Sequence, residues 1–194
     1  MRYSSIVFGL LFTTLAGSVR ADVFTNTWVA ASGGTWTDTA NWSDPDHLGQ
    51  TDDTAAVFDL SALPSGATVL LPYVDGGVRA HGLVLGAADG ADDATWLFDQ
   101  VGSYPQDRHP AFKFSAPAGA ELPAVHVRKG VACFNVQLNG SAFLKTGAGC
   151  ARFSYWASGT AHIRALEGRV ETAGRETLKD VVVNLYGPDA LFSV

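Results

Sequence analysis

Cysteine is nearly absent from this chain: Cys133 and Cys150 are the only two among 194 residues. That excludes a small scaffold held together by many disulfides. Glutamate is also scarce, with Glu121, Glu167, Glu171 and Glu176 the whole supply. Bases are missing from residues 22–107, where Arg79 stands alone against 13 acidic groups. Residues 108–194 reverse the balance, with 10 bases against 6 acids. No continuous basic stripe results, which argues against nucleic acid as a partner. Helical periodicity is lacking as well. The best candidate, residues 175–180, is barely a turn and runs into the β-branched Val181, Val182 and Val183. Beyond residue 21 no run is long and apolar enough to span a bilayer. Charged residues make up 16% and hydrophobic ones 47%, which excludes a disordered chain.

What is present begins with an export signal. Residues 1–21 read MRYSSIVFGLLFTTLAGSVRA, with Arg2 at the start and an apolar run from Ile6 to Ala16. A membrane anchor needs roughly 20 apolar residues, about twice this run. Val19, Arg20 and Ala21 put small residues where signal peptidase reads them, so cleavage is expected after Ala21. The mature chain then starts at Asp22, without a membrane span, in an extracellular, cell-surface or periplasmic setting.

The remaining sequence reads as all-β. Short apolar or alternating runs recur between Gly, Pro, Asp and Asn, as at 55–60, 67–71, 78–85, 94–98, 131–138, 151–156 and 161–166. In residues 161–172, Ala161, Ile163 and Ala165 alternate with His162, Arg164 and Leu166 before Gly168 turns the chain. Glycines mark nearly every corner, whereas the hairpin signal Asn-Gly occurs once, at Asn139–Gly140. This turn chemistry favours a parallel β-solenoid, with an antiparallel β-sandwich as the alternative. Residues 22–60, rich in Trp, Thr, Asp and Asn, are expected to form an N-terminal cap with the first strands. Residues 61–194 are expected to form solenoid rungs, incomplete at the C-terminus. Residues 101–110, with two prolines and no pattern, read as a projecting loop.

Two segments carry a family resemblance. Gly34, Trp36, Asn41 and Trp42, then Gly49, Asp53, Ala55 or Ala56, and Phe58, resemble the opening of exported bacterial proteins with autotransporter-associated β-strand repeats. Leu144, Lys145, Gly147 and Gly149, followed by Gly159, Thr160, Ile163, Gly168 and Val170, are similar to that family's repeat. Cys150, Arg152 and Trp156 depart from it. The resemblance implies a right-handed parallel β-helix with a structural or surface role and no known catalytic one. Family members are usually much longer, so it also implies a truncated product or a short soluble relative. An open solenoid end exposes apolar surface and strand edges, so Trp36, Asn41, Trp42 and Phe58 are expected to plug the first rung.

Candidate chemistry is thin. The histidines at 47, 81, 109, 126 and 162 lack metal-ligand spacing. The pairs Asp52–Asp53 and Asp92–Asp93 are adjacent, and neighbouring strand residues point to opposite faces, so they make poor catalytic dyads. Asp44, Asp46 and Asp89 add oxygens to loops without a calcium-loop spacing. No catalytic residue, cofactor or metal is nominated, and an enzyme is not expected. Cys133 and Cys150 lie 17 positions apart, close to one short coil. Stacked one coil apart they would form a disulfide; the other reading is two buried free thiols. The expected function is a non-catalytic secreted or cell-surface solenoid with a structural or adhesive role. The alternative is an extracellular glycan-binding module using exposed aromatics, with Trp28, Trp36, Trp42, Trp96 and Trp156 as candidate stacking rings, and the loop at 101–110. Expected partners are extracellular polysaccharide or envelope components, and a second copy joined end to end.

Overall fold

The computed structural model describes every residue except 1–22, 49–52, 60–62, 64, 76, 88, 90, 103–108, 140–141, 155–156, 159–160, 174–180 and 194. The export signal, the segment 175–180, Trp156, Gly159, Thr160 and most of the 101–110 loop therefore lie outside the described residues.

The described residues form eighteen strands. They are β1 (Phe24–Thr27), β2 (Gly33–Thr35), β3 (Thr54–Phe58), β4 (Thr68–Leu71), β5 (Val78–Ala80) and β6 (Gly82–Leu85). Next come β7 (Thr95–Gln100), β8 (Ala111–Phe114), β9 (Ala124–Val127), β10 (Val131–Phe134), β11 (Gln137–Asn139) and β12 (Ala142–Thr146). The last are β13 (Cys150–Phe153), β14 (Ala157–Ser158), β15 (Ala161–Ala165), β16 (Arg169–Thr172), β17 (Val181–Leu185) and β18 (Leu191–Ser193). A 3-10 turn, Thr39–Asn41, follows β2.

Three sheets collect these strands in rotation. One runs β1-β3-β6-β9-β12-β15-β17, a second β2-β4-β7-β10-β13-β16-β18, and a third β5-β8-β11-β14. Every pairing between these strands is parallel, so the molecule is a β-solenoid and the antiparallel sandwich is ruled out. Two runs read as single strands are each broken at a corner. Residues 78–85 turn at His81 into β5 and β6, and 131–138 turn at 135–136 into β10 and β11. Inward apolar residues continue on both sides of such a bend because both strands face the same core. Gly82 marks the first corner in the sequence, and no glycine marks the second.

Side chains sort by alternation. Ala161, Ile163 and Ala165 are buried while His162 and Arg164 are exposed, as the period of two requires. Like residues stack between coils: Phe98, Phe134 and Phe153 share one register column, with ring centroids 4.9 Å apart at each step. Phe112 and Phe114 lean against this column from β8. The aromatic spine fills the centre of the coil, where shorter side chains would leave voids.

The coil length corrects the cysteine arithmetic. Cys150 pairs with Arg169, so a coil here takes nineteen residues rather than seventeen. Cys133 consequently faces Arg152, and Cys150 faces Val131. The two thiols are diagonal neighbours on adjacent strands, a relation that spaces backbones about 7–8 Å apart. That exceeds the span a disulfide bridges comfortably, and both cysteines are free.

Candidate functional site

The N-terminal segment is the first locus the sequence singled out, and the fold brings all four named residues together. Trp42 donates its indole N–H to the Trp36 carbonyl at 2.7 Å, and the two rings meet edge to face 4.8 Å apart. Phe58 lies beneath, 6.2 Å from Trp36 and 6.0 Å from Trp42. Asn41 donates from Nδ2 to the Thr35 carbonyl at 2.9 Å, crossing so close over Gly34 that no Cβ would fit there. Asp38 accepts from the Ala40 amide and starts the 3-10 turn that delivers Asn41 and Trp42.

Two further residues complete this cluster: Trp28, which the sequence offered only as a sugar-stacking ring, and Asn26, to which it gave no role. Trp28 packs edge to face on Trp42 at 5.1 Å, and their backbones form an isolated antiparallel bridge. Asn26 is fully buried on β1, in register with the inward Ala56. Its Oδ1 accepts from Ser43 Oγ and the Asp44 amide, and its Nδ2 donates to the carbonyls of Asp44 and His47. One side chain thereby fixes the loop 43–47 across the strand. The Asp44 carboxylate receives the Asp46 amide and the His47 ring, which hold its pKa below the ordinary value. That carboxylate is engaged in loop structure.

A second locus lies at the corner between the first and second sheets. Phe143 and Lys145 both point inward from β12, so a lysine occupies a core row. Its Nζ donates to the carbonyls of Gly147 at 2.7 Å, Thr146 at 3.0 Å and Glu167 at 3.0 Å. Burial lowers the ammonium pKa to about 8, with Cys150 and Glu167 pulling the other way. It is therefore charged near neutral pH and joins the turns of two successive coils. The Glu167 carboxylate accepts the Gly147 amide at 3.0 Å, adding a second tie between those turns. Outside this corner runs an open groove of about 620 Å³, with Arg128, Lys129 and Arg169 facing Asp92, Glu167 and Asp189. The charges balance, and Lys129 already reaches Asp92 at 3.5 Å.

The thiols sit on the outward face of the second sheet beside a charge ladder. Glu171 accepts from Arg152 Nε at 2.6 Å and Arg169 Nε at 2.9 Å. Burial pulls the Glu171 carboxyl upward, but the Arg152 hydrogen bond and both guanidinium charges outweigh it and lower its pKa. Burial raises both cysteine thiols, so each stays protonated and a weak nucleophile at neutral pH.

Trp28, Trp36, Trp42 and Trp96 are buried in the core, where no ligand reaches their faces. Among the described residues no group of three or more His, Cys, Asp or Glu side chains converges on a metal position. No helix among them is long and apolar enough to cross a membrane. No family model matches the chain, and neither curated proteins nor solved structures give a match.

Proposed function

We propose that this chain is an exported, non-catalytic β-solenoid with a structural or adhesive role at or beyond the cell surface. The observation that supports it most is the continuous inward column from Trp42 through Phe58, Phe98, Phe134 and Phe153, each ring packed on the next. Such a column makes a stiff body in which each coil depends on its neighbours, the property a scaffold or stalk requires. Two of the buried polar side chains among the described residues, Asn26 and Lys145, are engaged in holding the backbone. The apolar leader at residues 6–16 supports export, and the Gly34–Trp42 and Leu144–Val170 motifs support kinship with autotransporter-associated repeats.

Expression of the full chain in a bacterial host, followed by fractionation and intact-mass measurement, tests the reading. The expected product begins at Asp22 and is found in the periplasm, at the surface or in the medium. A cytosolic chain that retains residues 1–21 overturns it.

A further inference from the structure

The outward faces of the three sheets differ in charge. The second sheet carries Asp99, Arg152, Arg169 and Glu171 on its outer side, and the third carries Arg79 and Lys113. On the first sheet the outward positions of β3, β6, β9 and β12 hold no aspartate, glutamate, lysine or arginine. Val57, Val84 and Leu144 stand half-buried there, between the inward residues of their own strands. Register aligns Ala55, Gly82, Ala124, Leu144 and Arg164 in one outer column, and the exposed Arg164 is its only charge over these strands. An uncharged face of this kind with charge at its rim is the usual mark of a contact surface. Charge also divides along the solenoid axis. Residues 22–107, which form β1 to β7, hold 13 acidic groups against Arg79 alone. Residues 108–194, from β8 onward, hold 10 bases against 6 acids.

We propose that the outer face of the first sheet binds a second copy of this chain, the two solenoids lying side by side with their axes antiparallel. This rests on the reading of the chain as a structural solenoid and adds its partner. Charge selects both the occupant and the direction. A parallel pair sets the acidic coils of one copy against those of the other, whereas an antiparallel pair sets each acidic half against a basic half. A two-fold axis along β9 achieves this and keeps each outer column opposite itself. Arg164 of β15 then meets β3 of the second copy, which has Asp53 just before it and Asp59 just after it. Leu144 of β12 meets Gly82 of β6, a position with no side chain to oppose it. Size agrees with the occupant. The five strands from β3 to β15, about 4.8 Å apart and about 15 Å long, make a flat face of roughly 360 Å². Side-chain relief about doubles that, so two faces bury about 1,400 Å² in total, within the range of about 1,200–2,000 Å² for stable interfaces. The contact is isologous and closes at two copies.

Sedimentation equilibrium of the exported chain at roughly 1–100 µM, the range of moderate affinities, tests this. The expected result is a dimer that Leu144→Lys converts to monomer and Arg164→Glu weakens at least about tenfold, with unchanged circular dichroism. Arg164 is exposed, so its variant keeps the fold even if the leucine variant does not. It also reads the direction: in a parallel pair Arg164 meets its own copy, and reversing its sign leaves the affinity unchanged. A monomeric wild-type chain, open-ended polymers, a dimer indifferent to a folded Leu144→Lys chain, or one indifferent to Arg164→Glu overturns the proposal. A monomer found outside the cytosol removes this inference and leaves the functional reading standing. A dimer retained in the cytosol does the reverse.

Discussion

Trp42, Lys145 and His126 show how single side chains serve the stack. Trp42 contacts Trp28, Trp36 and Phe58 and donates a buried hydrogen bond, so its removal leaves a cavity at the end of the core. Trp42→Ala is expected to cost about 3–5 kcal/mol in urea unfolding. Lys145→Met keeps most of the volume but orphans the carbonyls of Thr146, Gly147 and Glu167. The loss should be at least the roughly 1–3 kcal/mol of one buried unsatisfied group. His126 is pushed below its ordinary pKa by burial, then by Arg128 and Lys145. Below about pH 6.5 the unfolded chain binds a proton that the folded chain resists, so stability falls with acidity. His126→Gln should flatten that part of a stability-versus-pH curve measured between pH 7 and pH 5. The sequence placed Lys145 in a family repeat without showing that it points inward. Its carbonyl partners were not legible either, since they come from two turns twenty residues apart in the chain.

Strands and corners follow from local sequence to different degrees. The alternation at 161–165 identified both the strand and its inward face, because a period of two has only one physical origin. The corner at 135–136 was hidden inside a strand-like run because no glycine marks it, while Gly82 beside His81 was passed over inside the run 78–85. The cysteine spacing misled because coil length is set by pairing register, and register is a tertiary property. Glycine corners were better signposts. Gly168 has φ +66°, and a Cβ there would meet the Gly147 and Gly149 carbonyls and the Lys145 ammonium. Gly168→Ala combines a disfavoured backbone with backbone contact, so it should cost more than the roughly 1 kcal/mol of strain alone. Thermal unfolding of this variant beside wild type reads the loss directly.

At the scale of the whole molecule the parallel solenoid follows from short strands, glycine corners and the scarcity of hairpin turns. The N-terminal cap was expected from Trp36, Asn41, Trp42 and Phe58, but the parts Asn26 and Trp28 play in it did not follow, because neither had a motif to announce it. Both act through contacts with a loop some fourteen to twenty-one residues downstream. The central claim is that the Trp-rich segment closes the first coil as firmly as neighbouring coils close those in the middle. Native-state hydrogen exchange, read strand by strand, tests it most directly. The amides of β1 and β3 should exchange as slowly as those of β10 and β13. Rapid exchange in β1 and β3 beside slow exchange in β10 and β13 would contradict it.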